Sequence, residues 1–219
     1  QAQQAAVCGS LSAYLSYRGQ ATDADQLNAY FVLSTKGLAS QQTAIVDLLK
    51  QTLLSVRFDE QQRIKELVGQ LRSRRQQSVG QSGHSFALGA ASRNMSAGAN
   101  LQYNLSGLQG LVWLQQLDDG LQDEQHLADL CNKLAELQAQ LCKQPLQLAS
   151  VGEEQQQSNI EATFTTAFSE QVGVLNGCLQ WTYNKAHSKA DYQPVQQLWT
   201  TNTQVNYCAR SFPTVSSAH

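Results

Sequence analysis

The stretch from Phe58 to Leu117 constrains the fold of this chain more than any other part of its sequence. Asp59 and Gln62 have the spacing of a capping box, which predicts the start of a helix. The apolar residues that follow recur at helical spacing on one face, at Ile64, Leu67, Val68 and Leu71. A second helix is predicted from about Ser82, so the small-residue motif Ser82-Gly83-His84 lies at a junction of two helices. The stretch predicts a helical architecture and contains no catalytic constellation.

Two strands are predicted before this region. Ser10 to Tyr17 alternates in sequence, with Leu11, Ala13, Leu15 and Tyr17 on one side, which predicts a half-buried strand. Ala29 to Leu33 is rich in residues that favour strands and is expected to pair antiparallel with the first. The chain is therefore predicted to open with a hairpin.

Further helices are predicted from three apolar patterns. The first follows Gly37, the second runs from Leu105 to Leu117, and the third runs from Leu127 to Leu141, where Pro145 is expected to stop it. The residues of the first pattern are Ile45, Leu48, Leu49, Leu53 and Val56.

The last third of the chain mixes both kinds of pattern. Leu146 to Val151 predicts a short strand, and a capping box of Ser158 and Glu161 predicts a helix through Ile160, Phe164 and Phe168. Val195 to Leu198 and Thr203 to Ala209 suggest further strand. This order of elements predicts an α+β fold, with an antiparallel or mixed sheet and several helices packed on one face.

Charge and composition exclude several classes of partner. Fifteen basic and seventeen acidic residues give a net charge of −2, which supplies no general attraction for nucleic acid or an anionic membrane. No segment approaches the roughly 20 apolar residues that cross a bilayer. We therefore expect neither nucleic acid nor a membrane as a partner.

The five cysteines are scattered without the spacing of a disulfide framework or a zinc knuckle. This pattern predicts a reducing compartment. The chain begins at Gln1 without a methionine, which leads us to expect a piece of a longer protein.

No metal or catalytic motif is found in the sequence. The four histidines lack a partner at the spacing of an HExxH or HxxEH zinc site, so we expect no metal ligand and no catalytic residue in this chain. Glycine-rich phosphate loops and a GxSxG serine motif do not occur either. Carboxylate pairs such as Asp118-Asp119 lie beside turn signals, and each tryptophan is expected to pack in a core or interface.

His84, Arg74 and Arg75 remain as candidates for contact with a substrate. His84 could contact substrate or a neighbouring domain, or it could bond a helix end and fix the turn. Arg74 and Arg75 belong with Arg72 to the basic cluster of the chain. Acidic residues on the same helix and a lack of interleaved aromatic residues favour a solvated, salt-bridged face over an anion site.

A succession of short motifs resembles the pitrilysin (insulinase) zinc metallopeptidases, and above all their presequence-protease and falcilysin branch. The motifs are Ser34 to Leu38, Arg57 to Asp59, Arg63 to Leu67, Ser82 to Ala87 and Gly107-Leu108. The ending Val205 to Pro213 is similar to the strand that opens the last domain of that branch.

The resemblance implies a place in a larger enzyme. In that family four homologous α/β domains enclose a chamber in which unfolded peptides are cut, and the first domain holds the zinc motif. Residues 1–200 would form most of the third, non-catalytic domain, incomplete at its N-terminus, and residues 201–219 would lead to the fourth. The implied partners are the remaining domains of the parent and unstructured peptides. Zinc would be held by the parent, in the bacterial cytoplasm or the mitochondrial matrix.

Two other interpretations stay open at this point. The parent could be a structural or assembly member of the same superfamily that has lost its metal motif. Alternatively, the chain could be an independent helical binding module that uses the face from Arg72 to Arg75.

Overall fold

The computed structural model describes residues 7–19, 26–144, 146–169, 180–181, 196–200 and 204–212. Within them the chain has the predicted α+β composition, with helices following an antiparallel hairpin. The strands are β1 (Ser10–Gly19), β2 (Leu27–Lys36) and β3 (Gln180–Trp181). The helices are α1 (Gln42–Leu54), α2 (Gln61–Ser92), α3 (Ala97–Leu105), α4 (Leu108–Gly120), α5 (Glu124–Leu141) and α6 (Glu154–Ala167), with a 3-10 turn at Ala39–Gln41 before α1.

The predicted hairpin is confirmed, and both of its strands are longer than expected. The Gly9 N–H donates to the Lys36 carbonyl at 2.9 Å, and the Thr35 hydroxyl donates to the Ser10 carbonyl at 2.9 Å. β3 pairs antiparallel with the other edge of β2, with Leu27 opposite Trp181. Two residues are too few to form a sequence pattern, which is why β3 was not predicted.

The prediction that Ser10 to Tyr17 is half-buried is wrong. Tyr14 is 50% exposed and Leu15 is 47% exposed, and neighbouring strand residues point to opposite faces of a sheet. Tyr30 and Phe31 on β2 are exposed as well. The hairpin therefore presents large apolar side chains on both of its faces.

The described residues group into two compact units. Those within 1–16, 29–58 and 132–179 form the first unit, and those within 17–28, 59–131 and 180–219 form the second. The predicted division near residue 200 stays a prediction.

In the first unit, α1 packs against α6. The side-chain amide of Gln42 donates to the Thr163 hydroxyl at 3.0 Å, and a cleft of about 380 Å³ is lined by residues from both helices, among them Asp47 and Thr166. Val46 is buried, whereas Val56, which was expected on the packed face, lies beyond the helix and is exposed.

Two further predictions for the first unit are wrong. Leu146 to Val151 forms no strand, because an extended segment needs a neighbouring strand for its hydrogen bonds. The last helix begins at Glu154 with Glu153 as N-cap, so Ser158 lies inside the helix and caps nothing. Phe164 and Phe168 do stack there, at a ring-centroid distance of 4.4 Å. Pro145 lies outside the described residues.

The second unit is organised by the 32-residue helix α2. Its N-cap is Glu60, whose side chain makes no capping hydrogen bond, so the predicted capping box from Asp59 is wrong. The predicted junction is confirmed in a different form: Ser82 has non-helical dihedrals (φ −130°, ψ 30°), and the helix continues across this kink. Kinks at Ser-Gly pairs are a common departure from a straight helix.

Each half of α2 packs on its own apolar cluster. Before the kink, Ile64 and Val68 contact a cluster centred on the buried residues Leu121, Leu127 and Cys131. After the kink, Phe86 packs against the cluster of Ala90, Tyr103 and Leu108. Leu67 and Leu71, which were predicted to share the packed face, are exposed.

The predicted helix from Leu105 to Leu117 is two helices. α3 ends at Leu105 and α4 starts at Leu108, because the Ser106 and Gly107 N–H groups turn back to the Gln102 carbonyl, each at 2.9 Å. α3 was not predicted. Its N-cap is Ser96, whose hydroxyl accepts a hydrogen bond from the Ala99 N–H at 3.1 Å.

The strands predicted near the end of the chain are not seen in its described part. Residues 196–200 and 204–212 follow an irregular path, while Val195 and Thr203 lie outside the described residues. Tyr207 and Ser211 instead bond to backbone carbonyls of α2, so this segment takes its hydrogen bonds from a helix and not from a sheet.

Candidate functional site

His84 lies two residues after the kink of α2, on the surface. Its ring contacts the ring of Tyr207 at a centroid distance of 6.4 Å, with the two planes tilted by 52°. The kink thus brings His84 to a bend in the helix, as its position in the small-residue motif predicted. A role in contacting substrate stays a prediction.

Gly83 makes room for Tyr207. A Cβ at this position would overlap the Cε2 and Cδ2 atoms of the Tyr207 ring, so the ring occupies the space that any other residue would fill. The Tyr207 hydroxyl donates a hydrogen bond to the Gly80 carbonyl at 3.3 Å. No local sequence signal could have identified this contact, because the partners are 127 residues apart.

Arg72 forms the central ion pair of the second unit. Its Nη1 lies 2.9 Å from Asp118 and 2.6 Å from Asp119, in the last turn of α4. Hydrogen bonds to Asp118 and then to Asp119 raise the pKa of the guanidinium, so it stays charged. Carboxylates are unfavourable at the negative end of a helix, and Arg72 compensates for this.

The salt-bridged character of the basic cluster was predicted, but its principal partners were not. Arg63 pairs with Glu66 on its own helix at 3.0 Å, as the charge pattern suggested. Arg72 pairs with α4, and Asp118-Asp119, expected to be isolated loop or cap residues, are its partners.

Arg74 and Arg75 point to different surroundings. Arg75 donates to the Ser106 carbonyl at 3.2 Å, which satisfies a carbonyl at the C-terminal end of α3. Arg74 is exposed and donates to the Gln70 carbonyl of its own helix at 3.4 Å. His84 lies ten residues beyond Arg74, about 15 Å along the helix. The three predicted contact residues therefore do not converge on one pocket.

His126 and Asp123 hold the start of α5. Asp123 Oδ1 accepts hydrogen bonds from the Gln125 N–H at 2.7 Å and from the His126 N–H at 3.3 Å, which is an N-cap arrangement. These bonds lower the pKa of the Asp123 carboxyl. His126 Nδ1 lies 3.3 Å from the Gly120 carbonyl oxygen.

Among the described residues, no group of three or more His, Cys, Asp or Glu side chains could hold a metal ion. Cys8 and Cys131 are buried free thiols, and burial raises the pKa of the Cys142 thiol. Cys178, His187 and His219 lie outside the described residues. No described helix has both the length and the apolar character that crossing a membrane requires.

Two tryptophans differ from the expectation that they pack in a core. Trp113 on α4 is mostly exposed, and Trp199 is partly exposed while its indole N–H donates to the Gln197 side chain at 3.1 Å. The side chain of Trp181 is not described.

The α+β fold and the scattered polar residues of the described part are those of a scaffold and not of an assembled catalytic centre. Comparison with known families agrees with this. The model of the family described as associated with M16 peptidases of subfamily C matches residues 1–117, which is just over half of the chain and includes β1 through most of α4. The chain belongs to this family.

Family membership confirms the resemblance to the pitrilysin-like M16 metallopeptidases. It also indicates a non-catalytic part of such a peptidase. A search of curated proteins found no match to this chain.

Proposed function

We propose that this chain is a chamber-forming, non-catalytic segment of a zinc metalloendopeptidase that degrades short unstructured peptides. The observation that carries the proposal is the family match over residues 1–117. The order of the short motifs supports the presequence-protease and falcilysin branch. Zinc and the catalytic base belong, in this proposal, to another domain of the parent enzyme.

The proposed contribution of this segment is enclosure. A closed chamber excludes water and restricts the size of its substrates, so a wall can be essential without carrying a catalytic group. The rest of the parent would complete the chamber, in a reducing compartment such as the bacterial cytoplasm or the mitochondrial matrix.

The outward face of α2 supports a role in contacting peptide. Leu67, Leu71 and Arg74 recur at helical spacing and are all exposed, which gives an apolar stripe that ends in a positive charge. His84 is exposed farther along the same helix. An extended peptide with apolar and acidic residues has the complementary chemistry.

Two measurements test the proposal. The purified chain, incubated with zinc and an unstructured fluorescent peptide, is expected to show no cleavage. In the full-length parent, Arg74→Ala and His84→Ala are expected to raise KM for that peptide with little change in kcat, because they remove contacts and not chemistry.

Arg63→Ala is the matched control, since Arg63 is an exposed arginine of the same helix already paired with Glu66. Zinc-dependent cleavage by the chain alone would overturn the non-catalytic assignment. A parent without an HxxEH motif would favour a structural member of the superfamily.

A further inference from the structure

We propose that residues 204–212 form a strap that holds the bend of α2. The strap bonds to the helix at two places, on either side of His84. The Tyr207 hydroxyl donates to the Gly80 carbonyl at 3.3 Å, and the Ser211 hydroxyl donates to the Ala91 carbonyl at 2.5 Å. Both acceptors lie where a helix has carbonyls to spare, at a kink and in the last turn.

Gly83 and Tyr207 fit each other at the bend. Gly83 is buried although its neighbours His84 and Ser85 are exposed, and the Tyr207 ring is what covers it. A Cβ at position 83 would also come within 2.9 Å of Tyr207 Cζ, so the ring can dock only on glycine. The preceding residue, Ser82, has the non-helical dihedrals of the kink.

The bend matters because the two halves of α2 serve different cores. Ile64 and Val68 belong to the cluster around Leu121, whereas Phe86 packs on the cluster of Tyr103 and Leu108. A strap placed at the joint keeps both halves seated at once. It also determines how His84 is presented, since the His84 ring contacts Tyr207. These contacts do not depend on the proposed peptidase role.

Hydrogen–deuterium exchange of the 219-residue chain tests the strap. Tyr207→Ala is expected to increase exchange of the backbone amides in residues 80–86 by about five- to tenfold, since the ring and its hydrogen bond are both lost. Tyr207→Phe, which keeps the ring, is expected to give a smaller increase in the same residues. Residues 61–75 should exchange at the wild-type rate in both variants.

The pairing of Gly83 with Tyr207 predicts a non-additive double variant. Gly83→Ala alone is expected to expel the ring and raise exchange in 80–86 and in 204–212. When combined with Tyr207→Ala, it should add no further increase, because the overlap is already gone and alanine favours helix over glycine.

Phe212→Ala is the matched control, because Phe212 is an exposed aromatic residue of the strap whose ring contact is with Arg210. It should leave residues 80–86 unchanged. Wild-type exchange in 80–86 for both Tyr207 variants would overturn the proposal. Additive effects of Gly83→Ala and Tyr207→Ala would overturn it as well.

Discussion

Arg72 shows how the surroundings of a residue separate it from chemically identical neighbours. The Arg72 and Asp118 side chains are only 22% and 19% exposed, whereas Arg63 and Glu66 are 52% and 49% exposed. Ion pairs in water contribute little, and a carboxylate that loses its partner away from water is costly. The same arginine side chain therefore has different weight at the two positions.

We expect Arg72→Met to lower the free energy of unfolding clearly more than Arg63→Met does. The reason is that Asp118 and Asp119 would be left as uncompensated charges at the C-terminal end of α4. Urea denaturation of both variants measures the difference. Equal effects would show that the Arg72 pairs are no stronger than an ordinary surface pair.

Asp123 predicts a pH dependence of stability. Its carboxyl pKa is lowered in the folded state from the ordinary value of 3.8, chiefly by the hydrogen bond from the Gln125 N–H. Such a group stabilises the fold above its unfolded pKa, and the contribution is lost as pH falls through the lower folded pKa.

We therefore expect the free energy of unfolding to decrease below about pH 4 in the wild type. In Asp123→Asn this decrease should be smaller, because asparagine caps the helix without titrating. Denaturation curves between about pH 2.5 and pH 7 measure both. An unchanged pH profile in Asp123→Asn would contradict the assignment.

The turn between α3 and α4 depends on glycine for a steric reason. A Cβ at Gly110 would lie against the carbonyl oxygens of Leu105 and Asn104, and one at Gly107 would lie 2.8 Å from the Cα of Tyr103. These obstacles are backbone atoms, which cannot rotate away as a side chain can. The close approach of the two helix ends is therefore specified by these positions.

Gly110→Ala is expected to destabilise the chain by about 1–3 kcal/mol, although alanine is ordinarily the better helix former. Gly89→Ala is the matched control within α2, because a Cβ there meets no atom within 4 Å. It should stabilise the chain by up to about 1 kcal/mol. Thermal and urea denaturation decide the sign, and stabilisation by Gly110→Ala would contradict the packing.

At the scale of the whole molecule, the hairpin is the surface most suited to association. Tyr14, Leu15, Tyr30 and Phe31 are all more than a third exposed, and they occupy both faces of β1 and β2. Contiguous apolar surface of this kind commonly marks an interface.

We expect the isolated chain to self-associate with increasing concentration through this hairpin. The variant Tyr14→Thr/Leu15→Thr should shift it toward monomer, since it removes apolar area while threonine preserves strand propensity. Ala13→Thr, at an exposed position of the same strand, serves as control. Size-exclusion chromatography with light scattering measures the mass, and a wild type that stays monomeric at every concentration would contradict the prediction.

The strength of a local signal explains which predictions held. The hairpin, α1, α2 and α5 were predictable because their patterns recur every two, three or four residues. Both capping boxes failed because the same Asp, Ser and Glu residues occur inside helices and loops as readily as at caps. The predicted strand at Leu146 to Val151 failed because strand pairing depends on a distant neighbour.

The sequence by itself determined the α+β composition, the hairpin, the interrupted long helix and the motifs that identify the family, since each depends on residues close together in the chain. Tertiary structure decided the rest. Arg72 meets Asp118 across 46 residues, and Tyr207 meets Gly80 across 127. Contacts at such separations arise only when packed helices bring the partners together, and no periodicity along the chain records them.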